Sequence, residues 1–394
     1  MRETTATHRV LFVDDEGRIL SSLRRLLRRM RGEWEMVFVE GGAAAAEELD
    51  ARTFDVVVSD MRMPGLNGAD LLRLTREKRP DAVRIILSGY ATQGDLLRAV
   101  GPAHNFLSKP CDRETLVQTI RRSLKVRERL SSPVARELIL KVESLPCLPE
   151  AYRGLEQCLA QGGGLEQVGA LVRQDVGLST KLLQFANSSY FGLAEGLSDP
   201  EKAVRCLGID TVRGLVATAE LFSSEDSPRM QALHLEAVET LRVARELAGD
   251  YAEVAMDQLS LAAMCAGIGG VVLSDHYPNS YPELEAESIA DGIGLSDLEH
   301  SAYGLTGDQV GGLLLELWGI PHPVVEAVAF WRKPSASESR KPSPVALLHV
   351  AKGLLAESAG TPIAWDHEFL ERTGLDARLP EWRHRVLGSL TSAA

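Results

Sequence analysis

The sequence predicts two regions of different fold class, a doubly wound α/β domain followed by an all-helical region. In the residues before about position 125, five short apolar runs alternate with amphipathic stretches, which indicates a parallel sheet covered by helices on both faces. From residue 131 onward, strand patterns are scarce and apolar residues keep helical spacing. The length of 394 residues agrees with two or three domains.

The apolar runs and the helical spacing place the individual elements. The predicted strands are 10–13, 36–39, 56–58, 83–87 and 106–107. The predicted helices are 19–30, 43–49, 69–76, 96–100 and 116–124 in the first region, and 165–172, 178–186, 203–207, 233–247, 259–266, 310–318, 323–331 and 345–356 in the second. Ser198 and Glu201 have the spacing of a capping box, with Pro200 in the first turn of the helix that follows.

Composition and charge limit the classes of function. The net charge of −12 opposes broad, nonspecific binding to nucleic acid or to anionic membranes. The longest apolar run, 261–273, is shorter than the roughly 20 residues of a spanning helix, which predicts a buried core element and no membrane span. No secretion signal is visible, and the five scattered cysteines form no CxxC pair. We therefore expect a cytoplasmic protein without a disulfide framework or zinc site.

Acidic residues follow two of the predicted strands. Asp14 and Asp15 come after the first strand, and Asp60 follows the third. Because the carboxyl ends of parallel strands meet at one edge of a sheet, we expect these three carboxylates to converge. Clustered carboxylates repel one another, and Mg²⁺ is their natural partner because it prefers oxygen ligands. The pattern therefore predicts a magnesium site at which one carboxylate attacks a phosphoryl group.

Polar residues also follow the fourth and fifth strands. Ser88 offers a hydroxyl donor, and Lys109 offers an ammonium group as a point charge for phosphate. The segment 60–64, with two glycines just after it, predicts a tight loop beside the acidic site. Tyr90 either tunes the lifetime of a phosphoryl group or is an exposed loop aromatic, and both interpretations stay open.

Together these residues resemble the receiver domain of response regulators over residues 8–127. The resemblance implies a flavodoxin-like, doubly wound sheet of five parallel strands. It also implies Mg²⁺ as the cofactor and a cognate histidine kinase as the phosphodonor. In that family the residue at Asp60 is the phosphoacceptor, and the lysine at Lys109 contacts the phosphate.

The same resemblance implies roles for the remaining residues. Asp14 and Asp15 correspond to the acidic pair, which binds the metal together with the phosphoacceptor. The backbone carbonyl of Arg62 is implied as a further metal ligand. Ser88 and Phe106 correspond to the switch residues, a hydroxyl and an aromatic ring that move together when the phosphoacceptor is modified.

The second region contains short motifs that carry no chemistry individually. They are 145–149, Gln174-Asp175, 185–188, 203–208 and 317–321. In this order they resemble the HDOD family over residues 136–335. We expect residues 128–135 to be a helical linker from the receiver, whose helical pattern is interrupted by the segment 131–133. We expect residues 336–394 to be a C-terminal helical extension.

HDOD domains are relatives of the metal-dependent HD phosphohydrolases, whose helices hold a His-Asp pair. Ala266 and Gly267 occupy the places of that pair, and neither side chain can bind a metal. Glu236 lies near the place of another expected histidine, and Gly307 occupies a further ligand place. The resemblance therefore implies an HDOD domain with no catalytic residue and no metal cofactor.

The leading hypothesis is a response regulator whose HDOD domain acts through protein–protein contact. The family suggests a histidine kinase, a diguanylate cyclase or another signalling protein as the output partner, and self-association as a homodimer. The alternative is a divergent HD-type phosphohydrolase or cyclic-dinucleotide phosphodiesterase regulated by the receiver. A DNA-binding regulator is disfavoured because the helical region is acidic and shows no helix-turn-helix pattern.

Overall fold

A parallel sheet forms the N-terminal domain of the computed structural model, which describes residues 8–89, 101–130, 133–188, 196–217, 228–361 and 363–391. Its strands are β1 (His8–Asp14), β2 (Trp34–Glu40), β3 (Val56–Ser59), β4 (Val83–Ser88) and β5 (Asn105–Ser108). Their order is β2-β1-β3-β4-β5, and each neighbouring pair is parallel. The predicted five-stranded parallel sheet is confirmed.

The central strands are buried because helices cover the sheet. All residues of β3 and β4 are buried, as expected for apolar runs in a parallel sheet. β2 and β5 form the two edges, and β2 is mostly half-buried. The edge strand β5 is nevertheless buried at its first three residues, so another part of the chain covers that edge.

Four helices are described in the N-terminal domain: α1 (Gly17–Leu26), α2 (Gly42–Ala51), α3 (Gly68–Lys78) and α4 (Arg113–Arg129). A 3₁₀ turn, Arg28–Met30, ends the predicted helix 19–30. The predicted helix 96–100 and Tyr90 lie outside the described residues.

The linker is not one continuous helix. Helix α4 ends at Arg129, and Leu130 has a non-helical backbone with φ −82° and ψ 85°. The next helix, α5, covers Pro133–Lys141. A proline is tolerated in the first turn of a helix but disfavoured in its interior, so Pro133 starts a new helix and does not extend α4. The predicted helical linker 128–135 is therefore interrupted at Leu130.

The described residues from 133 onward contain helices and no strand, as the all-helical prediction requires. After α5 come α6 (Pro149–Ala160), α7 (Leu165–Val172), α8 (Val176–Ala186), α9 (Pro200–Leu207), α10 (Ile209–Ala217), α11 (Pro228–Ala248), α12 (Met256–Cys265), α13 (Ile268–His276), α14 (Ser280–Asp291), α15 (Leu295–Tyr303), α16 (Gly307–Leu317), α17 (His322–Phe330), α18 (Pro344–Ser358), α19 (His367–Thr373) and α20 (Leu379–Thr391).

The cap of α9 differs from the prediction. The N-cap is Asp199, whose side chain accepts a hydrogen bond from the backbone N–H of Glu201 at 3.0 Å. Ser198 instead donates its hydroxyl to Asp257 at 3.0 Å. Because Pro200 takes the first helical position, the cap falls on the residue directly before it.

The most apolar segment lies inside the helical region. Met256–His276 has the length and apolar composition of a membrane-crossing helix, but 72% of its most apolar window is buried within the protein. Gly267 separates this segment into α12 and α13. At Gly269 an added Cβ would lie 1.8 Å from the carbonyl oxygen of Gly307, so only glycine permits this close approach of α13 to α16.

Candidate functional site

Two buried carboxylates lie side by side at the carboxyl edge of the sheet. Asp14 ends β1, and Asp60 directly follows β3. The register pairs Val13 with Ser59, and the backbone N–H of Asp60 donates to the carbonyl of Val13 at 2.8 Å. Only 2% of Asp14 and 8% of Asp60 is exposed. β1 lies between β2 and β3, so both carboxylates flank the point where the strand order reverses, the usual place for a site in such sheets.

Lys109 joins the two carboxylates. Its Nζ donates to Asp14 Oδ2 at 2.6 Å and also contacts Asp60 Oδ1. Burial raises the pKa of Asp60, although Lys109 and the backbone N–H of Arg62 favour its charged form. Burial alone would lower the pKa of Lys109, but its contacts with Asp14 and Asp60 outweigh burial and raise it. The two contacts therefore keep a charged ammonium group between Asp14 and Asp60.

The loop after β3 fixes the second oxygen of Asp60. The backbone N–H of Arg62 donates to Asp60 Oδ2 at 2.6 Å. Gly68 begins α3 against this loop, and an added Cβ there would lie only 2.1 Å from the carbonyl oxygen of Asp60. The position of the Asp60 backbone thus depends on a residue without a side chain. The Lys109–Pro110 peptide bond on the other side of the site is cis.

A cavity of about 390 Å³ opens next to the carboxylates, and Asp15, Arg62, Met63 and Asn67 are among the residues that line it. Asp15 is half-buried. The structure thus brings Asp14, Asp60 and Lys109 into contact and places Asp15 and Arg62 beside them.

The donor set fits a magnesium ion. In the described residues no group of three or more His, Cys, Asp or Glu side chains is arranged to hold a metal. Mg²⁺ needs fewer protein ligands, because it keeps several waters and typically binds one or two carboxylates plus phosphate oxygens. Asp14 and Asp60 are carboxylates at one edge, and Asp15 lines the adjacent cavity. The metal role of the Arg62 carbonyl stays a prediction.

Ser88 and Phe106 lie on the two strands beside the site. Ser88 ends β4 opposite Ser108 of β5, and its carbonyl accepts the N–H of Lys109 at 2.7 Å. Phe106 lies two residues before Ser108, opposite Ile86, and is 2% exposed. Residues two apart in a strand point to the same face, so Phe106 and Ser108 share one face of β5.

The ring of Phe106 packs against the helical region. Its centroid lies 5.5 Å from that of Phe185 in α8, with the two ring planes at 82°. This is the edge-to-face arrangement that aromatic pairs favour. Phe185 is 1% exposed, so the contact is fully enclosed.

Further contacts cover β5 and α4. Asn105 Nδ2 donates to the Leu317 carbonyl of α16 at 3.1 Å. Gln184 Nε2 of α8 donates to the His104 carbonyl at 3.3 Å. Arg129 of α4 forms an ion pair of 2.6 Å with Glu316. We call the surface formed by residues 104–106 and helices α8 and α16 the docking face. It explains why an edge strand is buried.

A buried arginine ties the opposite end of β4 to α5. Arg84 is fully buried, and its guanidinium donates to the carbonyls of Pro102 at 2.6 Å and Leu140 at 2.8 Å. His104 Nδ1 accepts the backbone N–H of Arg84 at 3.0 Å, and its Nε2 lies 3.0 Å from the Leu140 carbonyl. Burial lowers the pKa of Arg84 to about 10 and keeps that of His104 well below its ordinary value. A neutral imidazole therefore fits, with Nε2–H as the donor to Leu140.

Comparison with known families decides what this arrangement is. The family profile of the response regulator receiver domain matches residues 10–121, and that of the HDOD domain matches residues 145–334. The chain belongs to the response regulators that join a receiver domain to an HDOD domain. The receiver is the domain that contains Asp60, and the HDOD domain supplies α8 and α16 of the docking face.

Several curated proteins are similar to parts of the chain. The photosynthetic apparatus regulatory protein RegA of Cereibacter sphaeroides is 32% identical over 152 residues, which are 38% of this chain and 70% of RegA. The hydrogenase transcriptional regulatory protein HoxA of Cupriavidus necator is 32% identical over 142 residues, 32% of this chain and 29% of HoxA. An uncharacterized protein of Treponema pallidum is 28% identical over 250 residues, 59% of this chain. The chain spans between 24% and 46% of the length of the first three curated relatives it matches.

Solved structures give similar matches. The MmoQ response regulator of Methylococcus capsulatus is 20% identical with a TM-score of 0.45, covering 60% of this chain and 97% of that chain. The signal receiver domain of an HD domain-containing protein of Pseudomonas fluorescens is 27% identical with a TM-score of 0.30, covering 31% of this chain and 98% of that one.

The two positions that we expected to correspond to the His-Asp pair lie at a cavity of about 150 Å³ in the HDOD region. Ala266 and Gly267 both line it, together with Glu236 and Gly307. An added Cβ at Gly267 would lie 2.5 Å from Leu233, so Leu233 fills the place of a larger residue. The structure therefore places these four residues at one pocket, and their correspondence to the metal ligands of HD enzymes stays a prediction.

Sequence reasoning missed some residues of these sites. Arg84 is a charge inside an apolar strand pattern, which is a signal of a buried, specifically bonded group. Lys352 is likewise a single charge within the apolar turns of α18, and its side chain is 8% exposed. Phe185 gave no such signal, because one aromatic in an apolar helix is indistinguishable from ordinary core.

Proposed function

We propose that Asp60 accepts a phosphoryl group from a histidine kinase and that this modification controls the output of the HDOD domain in the cytoplasm. The observation that carries the proposal is the contact of Phe106 with Phe185. It links a strand beside the acidic site directly to an HDOD helix, so a change at Asp60 has a short physical route to the second domain.

The reaction follows from the groups around Asp60. A carboxylate oxygen of Asp60 attacks phosphorus, while the bond from phosphorus to the kinase's imidazole nitrogen breaks and its electron pair stays on that nitrogen. Lys109, which contacts Asp60 and Asp14, offers its ammonium group to the incoming phosphoryl oxygens. Asp14, Asp15 and Asp60 would hold Mg²⁺, which supplies charge neutralisation for the phosphoryl group.

Transmission would use Ser88 and Phe106. A phosphoryl oxygen on Asp60 gives the Ser88 hydroxyl a new acceptor, and Phe106 moves with it. Because the Phe106 ring is enclosed against Phe185 of α8, a movement of the ring would disturb this contact. Phosphorylation can shift the docking equilibrium only by the difference in its interaction with the docked and undocked states. We therefore propose that phosphorylation loosens the docking face.

The output is proposed to be contact with another signalling protein, such as a histidine kinase or a diguanylate cyclase. Loosening would expose the surfaces of α8 and α16 that the receiver covers. A hydrolase activity is not proposed, because Ala266 and Gly267 offer no metal ligand where HD enzymes need two.

Phosphoryl uptake tests the proposal. The full chain with Mg²⁺ and acetyl phosphate is expected to gain one phosphoryl group by intact-protein mass spectrometry, and Asp60→Asn is expected to gain none. Asp50→Asn is the matched control, because Asp50 is an exposed surface carboxylate paired only with Lys78 in the described contacts. Equal uptake by the Asp60→Asn and Asp50→Asn proteins would refute the assignment of Asp60.

A further inference from the structure

The HDOD cavity at Ala266 and Gly267 is built from charged groups on several helices. Three cations line it: Arg229 of α11, Arg332 after α17 and Lys352 of α18. Lys352 lies beyond the part of the chain that matches the HDOD family, so the C-terminal helices complete this pocket. Three acidic side chains, Glu236, Glu299 and Asp308, also line it.

Two of the acids are held by several partners. Asp308 accepts hydrogen bonds from Trp331 Nε1 at 2.8 Å and forms an ion pair with Arg332 at 2.8 Å. Glu299 accepts hydrogen bonds from the Tyr281 hydroxyl and from a backbone N–H, both at 2.7 Å. Burial raises the pKa of both carboxyls. These two acids belong to the wall of the pocket.

Glu236 is held differently. Its side chain is 55% exposed, and its recorded contact is with the ammonium group of Lys352, whose side chain is only 8% exposed. Burial would raise the pKa of Glu236, but Lys352, Arg332 and Arg229 outweigh it and lower the pKa. All three cations therefore favour negative charge at the position of this one carboxylate. That carboxylate belongs to Glu236, a side chain that solvent can reach.

Lys352 is positioned by the pocket even without Glu236. Its Nζ lies 4.6 Å from the centroid of the Trp331 ring, and the guanidinium of Arg332 lies 4.2 Å from the same centroid. Such cation–π contacts hold both cations near the ring. Rotation of Glu236 into solvent would leave the ammonium group of Lys352 without its carboxylate partner, while Arg229 and Arg332 keep their ion pairs with Glu285 and Asp308.

We propose that this pocket binds a phosphate dianion, free or as a small monoester, which replaces the Glu236 carboxylate on Lys352. Arginine and lysine are the side chains that recognise phosphate, through planar hydrogen bonds and a point charge respectively. The cavity volume of about 150 Å³ holds roughly five water molecules' worth of space, which suits a small anion and is too small for a nucleotide. The inference does not depend on phosphorylation of Asp60.

Binding of inorganic phosphate and of glycerol 3-phosphate to the full chain, measured by isothermal titration calorimetry at low ionic strength, tests the proposal. Comparing the affinities for the two ligands distinguishes a site for the free anion from a site for the monoester. Lys352→Gln is expected to weaken binding about tenfold or more, because a hydrogen bond to a charged group is lost. Glu236→Gln is expected to strengthen binding about tenfold, since the competing carboxylate is gone. Lys333→Gln, which removes an exposed cation outside the pocket, is the matched control and should bind as the wild type does.

The two substitutions are expected to change phosphate affinity in opposite directions, which distinguishes the proposed site from an ion pair with a structural role only. Glu236 is exposed, so Glu236→Gln is expected to fold even where Lys352→Gln does not. Absence of binding at millimolar ligand in both the wild type and Glu236→Gln would overturn the proposal. Weaker binding by Glu236→Gln, or unchanged binding by a folded Lys352→Gln protein, would overturn it as well.

Discussion

The pairing of Phe106 with Phe185 is expected to couple the two domains energetically. The perturbation is a double-mutant cycle with Phe106→Leu, Phe185→Leu and both together, which keeps each site apolar while removing the ring–ring contact. The rings are 2% and 1% exposed and meet edge to face at 5.5 Å. Such pairs contribute about 0.5–1.5 kcal/mol beyond their buried area, so we expect a coupling energy of this size.

Native-state hydrogen exchange of β5 and α8 is the appropriate assay, because a two-domain chain need not unfold in a single step. The opening free energies of the four proteins give the coupling energy directly. The pair Phe12–Phe38 provides the matched control. Its rings stack at 4.9 Å within the receiver, away from the docking face.

In the phosphorylated protein, the coupling between Phe106 and Phe185 should fall, and that between Phe12 and Phe38 should not. A coupling below about 0.3 kcal/mol for Phe106 and Phe185 in the unmodified protein would refute the reasoning, since distant, independent sites add within about that error.

Further predictions concern the acidic loop, a buried lysine and the metal. Gly68→Ala should lower stability by about 1–3 kcal/mol in thermal unfolding and slow phosphoryl uptake, because its Cβ would meet the Asp60 carbonyl. Gly388→Ala, which places a Cβ in open space, should do neither. Burial lowers the pKa of Lys181 from 10.5 to about 8, so the folded chain releases this proton first and stability rises with pH between these values. Lys181→Met should therefore raise the free energy of unfolding most below pH 8, by at most about 3 kcal/mol minus the contribution of the lost hydrogen bond to the Glu143 carbonyl. This gain, measured by urea unfolding, should shrink towards pH 10.5. A gain that stays constant with pH would contradict this account. Removal of divalent cations with EDTA should stop phosphoryl uptake, and added Mg²⁺ should restore it, whereas uptake unaffected by EDTA would count against a metal.

Much of the receiver could be predicted because its signals are local. Runs of Val, Ile and Leu identify buried parallel strands, and the order of the strands brings Asp14 and Asp60 to one edge. The capping of α9 was predicted one residue too early, at Ser198, because spacing alone does not show that Pro200 occupies the first helical position. The interruption of the linker was expected from the segment 131–133, and the structure agrees in having non-helical backbone at Leu130 and a new helix from Pro133.

The contacts between the domains could not be predicted from the sequence. Arg84 and Leu140 are 56 residues apart, and Asn105 and Leu317 are 212 apart, so no periodicity relates them. Helices α14 and α15 were missed because they carry charged and exposed residues, including Ile289 at 86% exposure, and lack a clear apolar stripe. The HDOD pocket was expected only as a degenerate metal site, because the three cations that line it are far apart along the chain.

Hydrogen exchange of the docking face with and without phosphodonor is the most direct test of the central claim, that Asp60 controls contact between the receiver and the HDOD domain. Wild-type protein with Mg²⁺ and acetyl phosphate should show faster exchange in residues 104–106 and in α8, by about fivefold for each 1 kcal/mol of lost docking. Asp60→Asn under the same conditions should show no change. Identical exchange in phosphorylated and unphosphorylated wild-type protein would contradict the account, even if Asp60 takes up the phosphoryl group.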